Sequence, residues 1–142
     1  MTTLAANTPR AYQGADNEAY PVIAADVIYE GAAVGENGSG YSRPLAQGDP
    51  FQGFATRKAD NSTGAAGVIN LEVKTRGRIR LTVAGATAIT ANDRPAVYAS
   101  DDNTFTLTST SNSLIGYVSR WIASTDVVVE FDAMTVRAAL QA

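Results

Sequence analysis

Two residue types with distinctive chemistry are missing from this 142-residue sequence, which contains neither cysteine nor histidine. Without cysteine there is no disulfide framework, no thiolate nucleophile and no zinc–cysteine site. Without histidine there is no imidazole base, no Ser–His–Asp triad and no histidine metal ligand. Lysine is scarce, since only Lys58 and Lys74 are present, and neither lies in a Ser–Lys motif. The sequence therefore predicts a protein that is not an enzyme and has no cofactor or metal site.

Charge and long apolar runs are also limited. Charged residues make up 18% of the chain and the formal net charge is -3, which disfavours a general nucleic-acid binder. No apolar run reaches the roughly 18 residues of a membrane span. The first ten residues, MTTLAANTPR, lack the basic start and apolar core of a secretory signal. We therefore expect neither a nucleic-acid nor a membrane partner.

Two parts of the chain differ in composition. Residues 1–20 are small and polar, are interrupted by Pro9 and Gly14, and show no helical apolar period. We interpret them as an extended N-terminal arm, with a disordered terminus as the alternative. Residues 21–142 are predicted to form a single β-domain, in which 133–142 is a short tail that either forms a helical turn or frays.

Short apolar runs separated by turns dominate the β-domain. β-branched and aromatic residues cluster in segments bounded by Gly, Pro, Asn and Asp, which is typical of strands. The absence of a long helical period predicts an all-β fold, a small β-barrel or sandwich of short antiparallel strands with an extended N-terminal arm. The predicted strand regions are 22–29, 51–55, 68–83, 97–99, 104–108, 114–122 and 127–131. In the last of these, Val127, Val129 and Phe131 share one face.

Two turn sequences could suggest ligand sites. The Gly-rich segment 35–40 lacks the Gly-Lys-Ser/Thr and the helix of a phosphate-binding loop, so we interpret it as a flexible turn. Asp101-Asp102-Asn103 lacks the further spaced oxygen ligands of a calcium loop. Its position between two strand patterns predicts a hairpin turn.

The segment 68–83 has the clearest alternation. One face is mostly apolar, and the other consists of Glu72, Lys74, Arg76, Arg78, Arg80 and Thr82. Period-two alternation predicts a half-buried antiparallel strand or hairpin, with Gly77 as a bulge or bend.

The like charges in this segment define what we call the basic stripe, Lys74, Arg76, Arg78 and Arg80. Four cations on one strand face repel each other and need solvent, acidic neighbours or a partner. The stripe is therefore either a solvated sheet face or a contact with an acidic protein surface or a neighbouring subunit. Nucleic acid is a weaker possibility, because no aromatic residues are interleaved for stacking.

The first third of the chain carries four tyrosines, Tyr12, Tyr20, Tyr29 and Tyr41. Tyrosine is favoured at interfaces, although core or rim positions explain it equally well. Within the arm, Leu4, Tyr12 and Tyr20 are spaced for a chain that lies extended on a neighbour. These three residues and the basic stripe are the candidate contact residues for a partner protein or a neighbouring subunit.

The stretch from Gly53 to Asp132 resembles the small phage capsid decoration proteins, also called cement proteins. The matching runs are GAAGVINLEVKTRGRIRL, ANDRPAVYASDDNTFTLTSTSNSLIGYV and DVVVEFDA. In the family pattern, a strand with a central glycine precedes a VY strand, an acidic turn, a Thr-rich strand and an IG-V strand. The corresponding positions here are Gly77, 97–98, 101–102, 104–110 and 115–118. The arm and residues 21–52 match the pattern less closely.

This resemblance implies a β-rich protein, often a homotrimer, that binds the outer surface of an assembled phage head. It implies contacts that stabilise neighbouring major capsid protein subunits, a location on the virion after assembly in the host cytoplasm, and no catalytic residues. Two alternatives remain open. One is a carbohydrate-binding or adhesin-like β-domain that uses Tyr117 and Trp121, and the other is a phage tail or baseplate β-module.

Overall fold

The computed structural model of the chain describes residues 5–7, 9–10 and 16–141, with side chains as far as residue 137. Leu4 and Tyr12, two of the predicted contact residues, lie outside the described residues. Twelve strands and two short helices occur in the described part. In chain order they are β1 (Asn17–Pro21), β2 (Asp26–Ile28), β3 (Ala33–Glu36), β4 (Ser42–Pro44), β5 (Phe51–Ala55), β6 (Ala59–Asn61), β7 (Asn70–Lys74), β8 (Arg76–Ala84), α1 (Ala88–Asn92), β9 (Ala96–Ala99), β10 (Phe105–Thr106), β11 (Ser113–Ala123), β12 (Asp126–Asp132) and α2 (Ala133–Gln141).

The strands of the C-terminal half close into a barrel in the order β10-β8-β12-β11-β9. The β8–β10 pair is parallel, whereas the other pairs are antiparallel. Closure rests on two residue pairs, Phe105 with Val83 and Thr106 with Ala84, so β10 covers only the end of the β8 edge. The prediction of an all-β fold with a small barrel is therefore confirmed.

The N-terminal half forms an antiparallel sheet in the order β1-β7-β5-β3-β4, and β2 pairs with β6 in a separate ribbon. β1 pairs with β7 from Asn17 to Pro21. The last four residues of the predicted arm, 17–20, therefore belong to this sheet.

Four phenylalanines join the sheet to the barrel. Phe51 and Phe54 come from β5, Phe105 from β10 and Phe131 from β12, and all four are buried. The rings of Phe54 and Phe131 meet edge to face with 4.9 Å between their centroids. Because these residues share one hydrophobic cluster, the sheet and the barrel are packed around a common core.

The alternating segment 68–83 is correctly predicted as extended, but it is not a hairpin. β7 pairs with β1 and β5, whereas β8 pairs with β12 and β10. Between them, Thr75 donates its N–H to the Asp16 carbonyl oxygen and accepts from the Ala133 N–H. At Gly77, φ is 151°, yet the register with β12 continues without a shift, so no bulge forms there.

Two helices break the strand pattern. Sequence analysis missed α1, although Thr87 and Thr90 form a capping box at its start. The tail forms the nine-residue α2, at whose start the Asp132 carboxylate accepts from the N–H groups of Met134 and Thr135. Val136 in this helix is buried in the common core. Neither described helix has the length and apolarity needed to cross a bilayer.

Candidate interaction surface

The outward side of the barrel carries the three arginines of the basic stripe. Along β8, Arg76, Arg78 and Arg80 are exposed. The residues that alternate with them are partly buried, namely Gly77, Ile79 and Leu81. On the neighbouring strand β12, Val127, Val129 and Phe131 point into the core, so that the residues between them face outward. We call this surface, formed by Arg76, Arg78, Arg80, Asp126 and Glu130, the charged face.

The arginines of the charged face are paired with carboxylates of the same chain. Arg78 Nε lies 2.9 Å from Glu130 Oε1, and Arg80 Nη2 lies 2.6 Å from Asp126 Oδ2. Arg76 Nε lies 2.7 Å from Asp16 Oδ1, just before β1. The stripe is therefore a series of alternating charges, and acidic neighbours relieve the repulsion that its sequence predicted.

These pairs lower the pKa of two of the carboxyl groups that bind the arginines. The hydrogen bond from Arg76, followed by its charge, lowers the pKa of Asp16 below the usual aspartate value. The hydrogen bond from Arg80 likewise lowers the pKa of Asp126, against a smaller opposing effect of desolvation. Both carboxylates are thus held in the ionised form that the arginines require.

Lys74 is the exception in the basic stripe. It ends β7 and forms no ion pair with any residue in the described part of the chain. It lines a shallow groove of about 360 Å³ with Asp16, Arg76, Gly77 and Asp132. Of the four stripe residues, Lys74 is therefore the one whose charge remains available to a partner without breaking an ion pair.

A second groove, of about 320 Å³, adjoins the charged face where β11 meets the turn after α1. It is lined by Arg78, Arg94, Tyr117, Ser119 and Glu130, and we call it the β11 groove. Sequence analysis did not identify Arg94, because its distance from the basic stripe in sequence hides their proximity. Tyr117 was considered only as part of a sugar platform.

Tyr20, the remaining arm candidate, is half-buried on β1 and packs against the smaller hydrophobic cluster of the N-terminal sheet. Burial, followed by the charge of Glu18, raises the pKa of its hydroxyl. It lies opposite Leu71, whereas Lys74 lies opposite Asn17 at the other end of β1. The structure thus brings the stripe residues together but places Tyr20 at the opposite end of the β1–β7 pair.

The acidic turn at 101–103 forms the predicted hairpin. β9 and β10 pair on either side of it, and the Asp101 carboxylate accepts from the Asn103 N–H and the Thr104 hydroxyl. Desolvation, followed by the charge of Asp101, raises the pKa of Asp102. Within the described residues, no cluster of three acidic side chains could hold a metal ion.

The structure and sequence were compared with protein-family models, curated proteins and solved structures, and none of the three comparisons found a match.

Proposed function

We propose that the protein is a capsid decoration protein that binds the outer surface of an assembled phage head. In this proposal it is a component of the virion, it contacts the major capsid protein, and it stabilises contacts between neighbouring capsid subunits. The observation that carries the proposal is the closed barrel formed by β8 to β12. The barrel strands lie within the stretch that resembles the decoration proteins, with Gly77 on β8, 97–98 on β9 and 115–118 on β11. The earlier part of that stretch contributes to β5, β6 and β7 outside the barrel, and only 105–106 of the Thr-rich segment is a strand.

The architecture suits a protein that reinforces a shell. A closed barrel that shares a phenylalanine core with the neighbouring sheet is a stiff body. The charged face offers several exposed ion pairs at which an approaching charged surface can exchange partners. Exposed pairs of this kind contribute little to folding, so the face can serve docking without a large effect on the fold.

The edge strand β1 offers a second means of attachment. The Thr75 N–H donates to the Asp16 carbonyl oxygen, and the Val22 N–H donates to the Ile69 carbonyl oxygen. Because hydrogen-bonded positions alternate along an antiparallel pair, the even-numbered residues of this segment bond to β7. The backbone N–H and C=O groups of Asn17 and Ala19 therefore face the free edge of the sheet. The fifteen residues before Asp16 could extend about 3.3–3.6 Å each, roughly 50 Å in total. We propose that this arm adds a strand to a neighbouring subunit, where main-chain hydrogen bonds supply affinity.

Self-association is part of the proposal. A trimer on a capsid threefold axis would bind more tightly than a single copy, because its three identical sites bind at once. This gain needs no further contact between each copy and the capsid. A ring of this kind uses two different surfaces of each subunit. Sedimentation equilibrium of the free protein should give the mass of a trimer, and a monomer at all concentrations, both free and on heads, would contradict this part.

Co-sedimentation with purified heads that lack a decoration protein tests the main proposal. The intact protein should pellet with expanded heads at a saturating, symmetric stoichiometry and should raise their resistance to heat or to loss of DNA. Bovine serum albumin, as an unrelated acidic protein, should remain in the supernatant. Failure to bind heads of the phage that encodes this chain would contradict the proposal.

The carbohydrate-binding alternative receives less support from the geometry. Tyr117 pairs with the outward-facing Glu130, whereas Trp121 pairs with Val127, which points into the core. The register therefore places the two aromatic residues on opposite faces of β11, although both are exposed. The Trp121 indole N–H is bonded to the Ser124 carbonyl oxygen. A screen against immobilised glycans tests this alternative, and a strong hit would favour it.

A further inference from the structure

Arg94, in the β11 groove, is one of four described non-glycine residues with a positive φ. Its φ is 54°, in the left-handed region that is disfavoured for residues with a Cβ. It directly follows the C-cap of α1, where glycine is the usual residue, and the proline after it restricts its backbone further. Backbone strain at a non-glycine residue is concentrated at functional sites.

Hydrogen bonds hold this turn against the barrel. The Arg94 N–H donates to the Ala91 carbonyl oxygen at 3.1 Å, and the Pro95 carbonyl oxygen accepts from the Val118 N–H of β11 at 2.9 Å. Arg94 is therefore fixed between the end of α1 and β11. Its side chain lines the same groove as Tyr117 on β11 and Arg78 on β8.

Several hydrogen-bond donors that line the groove have no acceptor within the described residues. Arg78 uses Nε for its bond to Glu130, and within the described residues its terminal nitrogens have no partner. The Arg94 guanidinium and the Tyr117 hydroxyl likewise have none within that part of the chain. Two guanidinium groups face one carboxylate, so the groove carries an excess of one positive charge.

We propose that the β11 groove binds a carboxylate group on an acidic peptide segment of a partner. The planar guanidinium fork matches the two oxygens of a carboxylate, and the Tyr117 hydroxyl can donate a further bond. Glu130 fixes Arg78 by accepting from its Nε, and its negative charge disfavours a doubly charged phosphate more than a singly charged carboxylate. This inference does not depend on the capsid proposal.

The test uses the full-length, ¹⁵N-labelled protein and an acetylated, amidated pentaglutamate peptide at low salt. Amide shifts should concentrate at the end of α1 and along β11. Arg94→Gly should weaken binding about fivefold, the factor that corresponds to an exposed charge pair. The same variant should keep or raise the melting temperature, because glycine is unstrained at this φ. Arg57→Gly, an equal change of charge at an exposed position outside the groove, should leave peptide affinity unchanged.

Three outcomes would overturn the inference. Unchanged peptide affinity in Arg94→Gly would show that Arg94 does not contact the ligand. An equal loss in Arg57→Gly would show that only net charge matters. Inorganic phosphate that binds at the groove as tightly as the peptide would show a general anion site.

Discussion

Glu130 on β12 lies directly opposite Arg78 on β8, and its Oε1 accepts a hydrogen bond from Arg78 Nε at 2.9 Å. This cross-strand pair converts the centre of the basic stripe into an ion pair within the chain. Arg78 also lines the β11 groove. A single residue therefore contributes both to the charged face and to the proposed carboxylate site.

Exchanging the two charges tests the cross-strand pair. Arg78→Glu places two carboxylates opposite each other and should lower the free energy of unfolding by about 1 kcal/mol or less. The double variant Arg78→Glu with Glu130→Arg should recover most of that loss. Urea unfolding at low and high salt measures both effects, which should shrink as salt screens the charges. If the double variant is less stable than the single one, the pair does not act as described.

The lowered pKa values of Asp16 and Asp126 predict a dependence of stability on pH. A carboxyl group whose pKa is lower in the folded state stabilises the fold above its unfolded pKa of about 3.9. That contribution should be lost as the pH falls below about 4 and through the folded pKa. Asp102, whose pKa is raised, should act in the opposite sense. Urea midpoints between pH 6 and pH 2.5 measure the net slope.

Asparagine variants separate these contributions. Asp16→Asn and Asp126→Asn should each flatten the fall in stability below pH 4, whereas Asp102→Asn should steepen it or leave it unchanged. If all three variants keep the same dependence of stability on pH as the intact protein, other carboxyl groups control acid unfolding.

Gly116, in the IG-V motif of β11, tests the close approach of two strands. A Cβ at this position would collide with the Glu130 carbonyl oxygen of β12. Gly116→Ala should therefore push the strands apart and lower the free energy of unfolding by about 1–3 kcal/mol or more. Gly38→Ala is the matched control, because the added Cβ meets no atom there and only the positive φ is strained. Equal losses in the two variants would contradict the proposed collision.

Deletion of the arm should stop before Asp16, because that residue pairs with Arg76 and leads into β1. A variant without residues 2–14 should keep the circular dichroism spectrum and thermal stability of the intact protein. We expect it to bind heads at least tenfold more weakly, about 1.4 kcal/mol, if the arm adds a strand to a neighbour. Undiminished decoration of heads would show that the arm is only a terminus.

The local features of the protein could be predicted from its sequence. Alternation along Val127, Val129 and Phe131 predicted which side of that strand is buried, because successive side chains of a strand point to opposite faces whatever the strand pairs with. The turn at Asp101-Asp102-Asn103 predicted a hairpin for a similar reason, since its side chains bond to nearby backbone groups. Missing cysteine and histidine limited the available chemistry before any fold was known.

The contacts between segments that are distant in sequence could not be predicted in this way. The alternation in β7 and β8 is compatible with a hairpin and also with strands of two separate sheets. In the folded protein, β7 pairs with β1 and β5, whereas β8 belongs to the barrel. The partners of the basic stripe were hidden because Arg78 and Glu130 are 52 residues apart in sequence. Arg94 reaches the β11 groove through a backbone conformation that its residue type disfavours. A period-two pattern predicts which face of a strand is buried, but it does not predict which strand lies next to it. Ion-pair partners and grooves therefore cannot be predicted from the pattern.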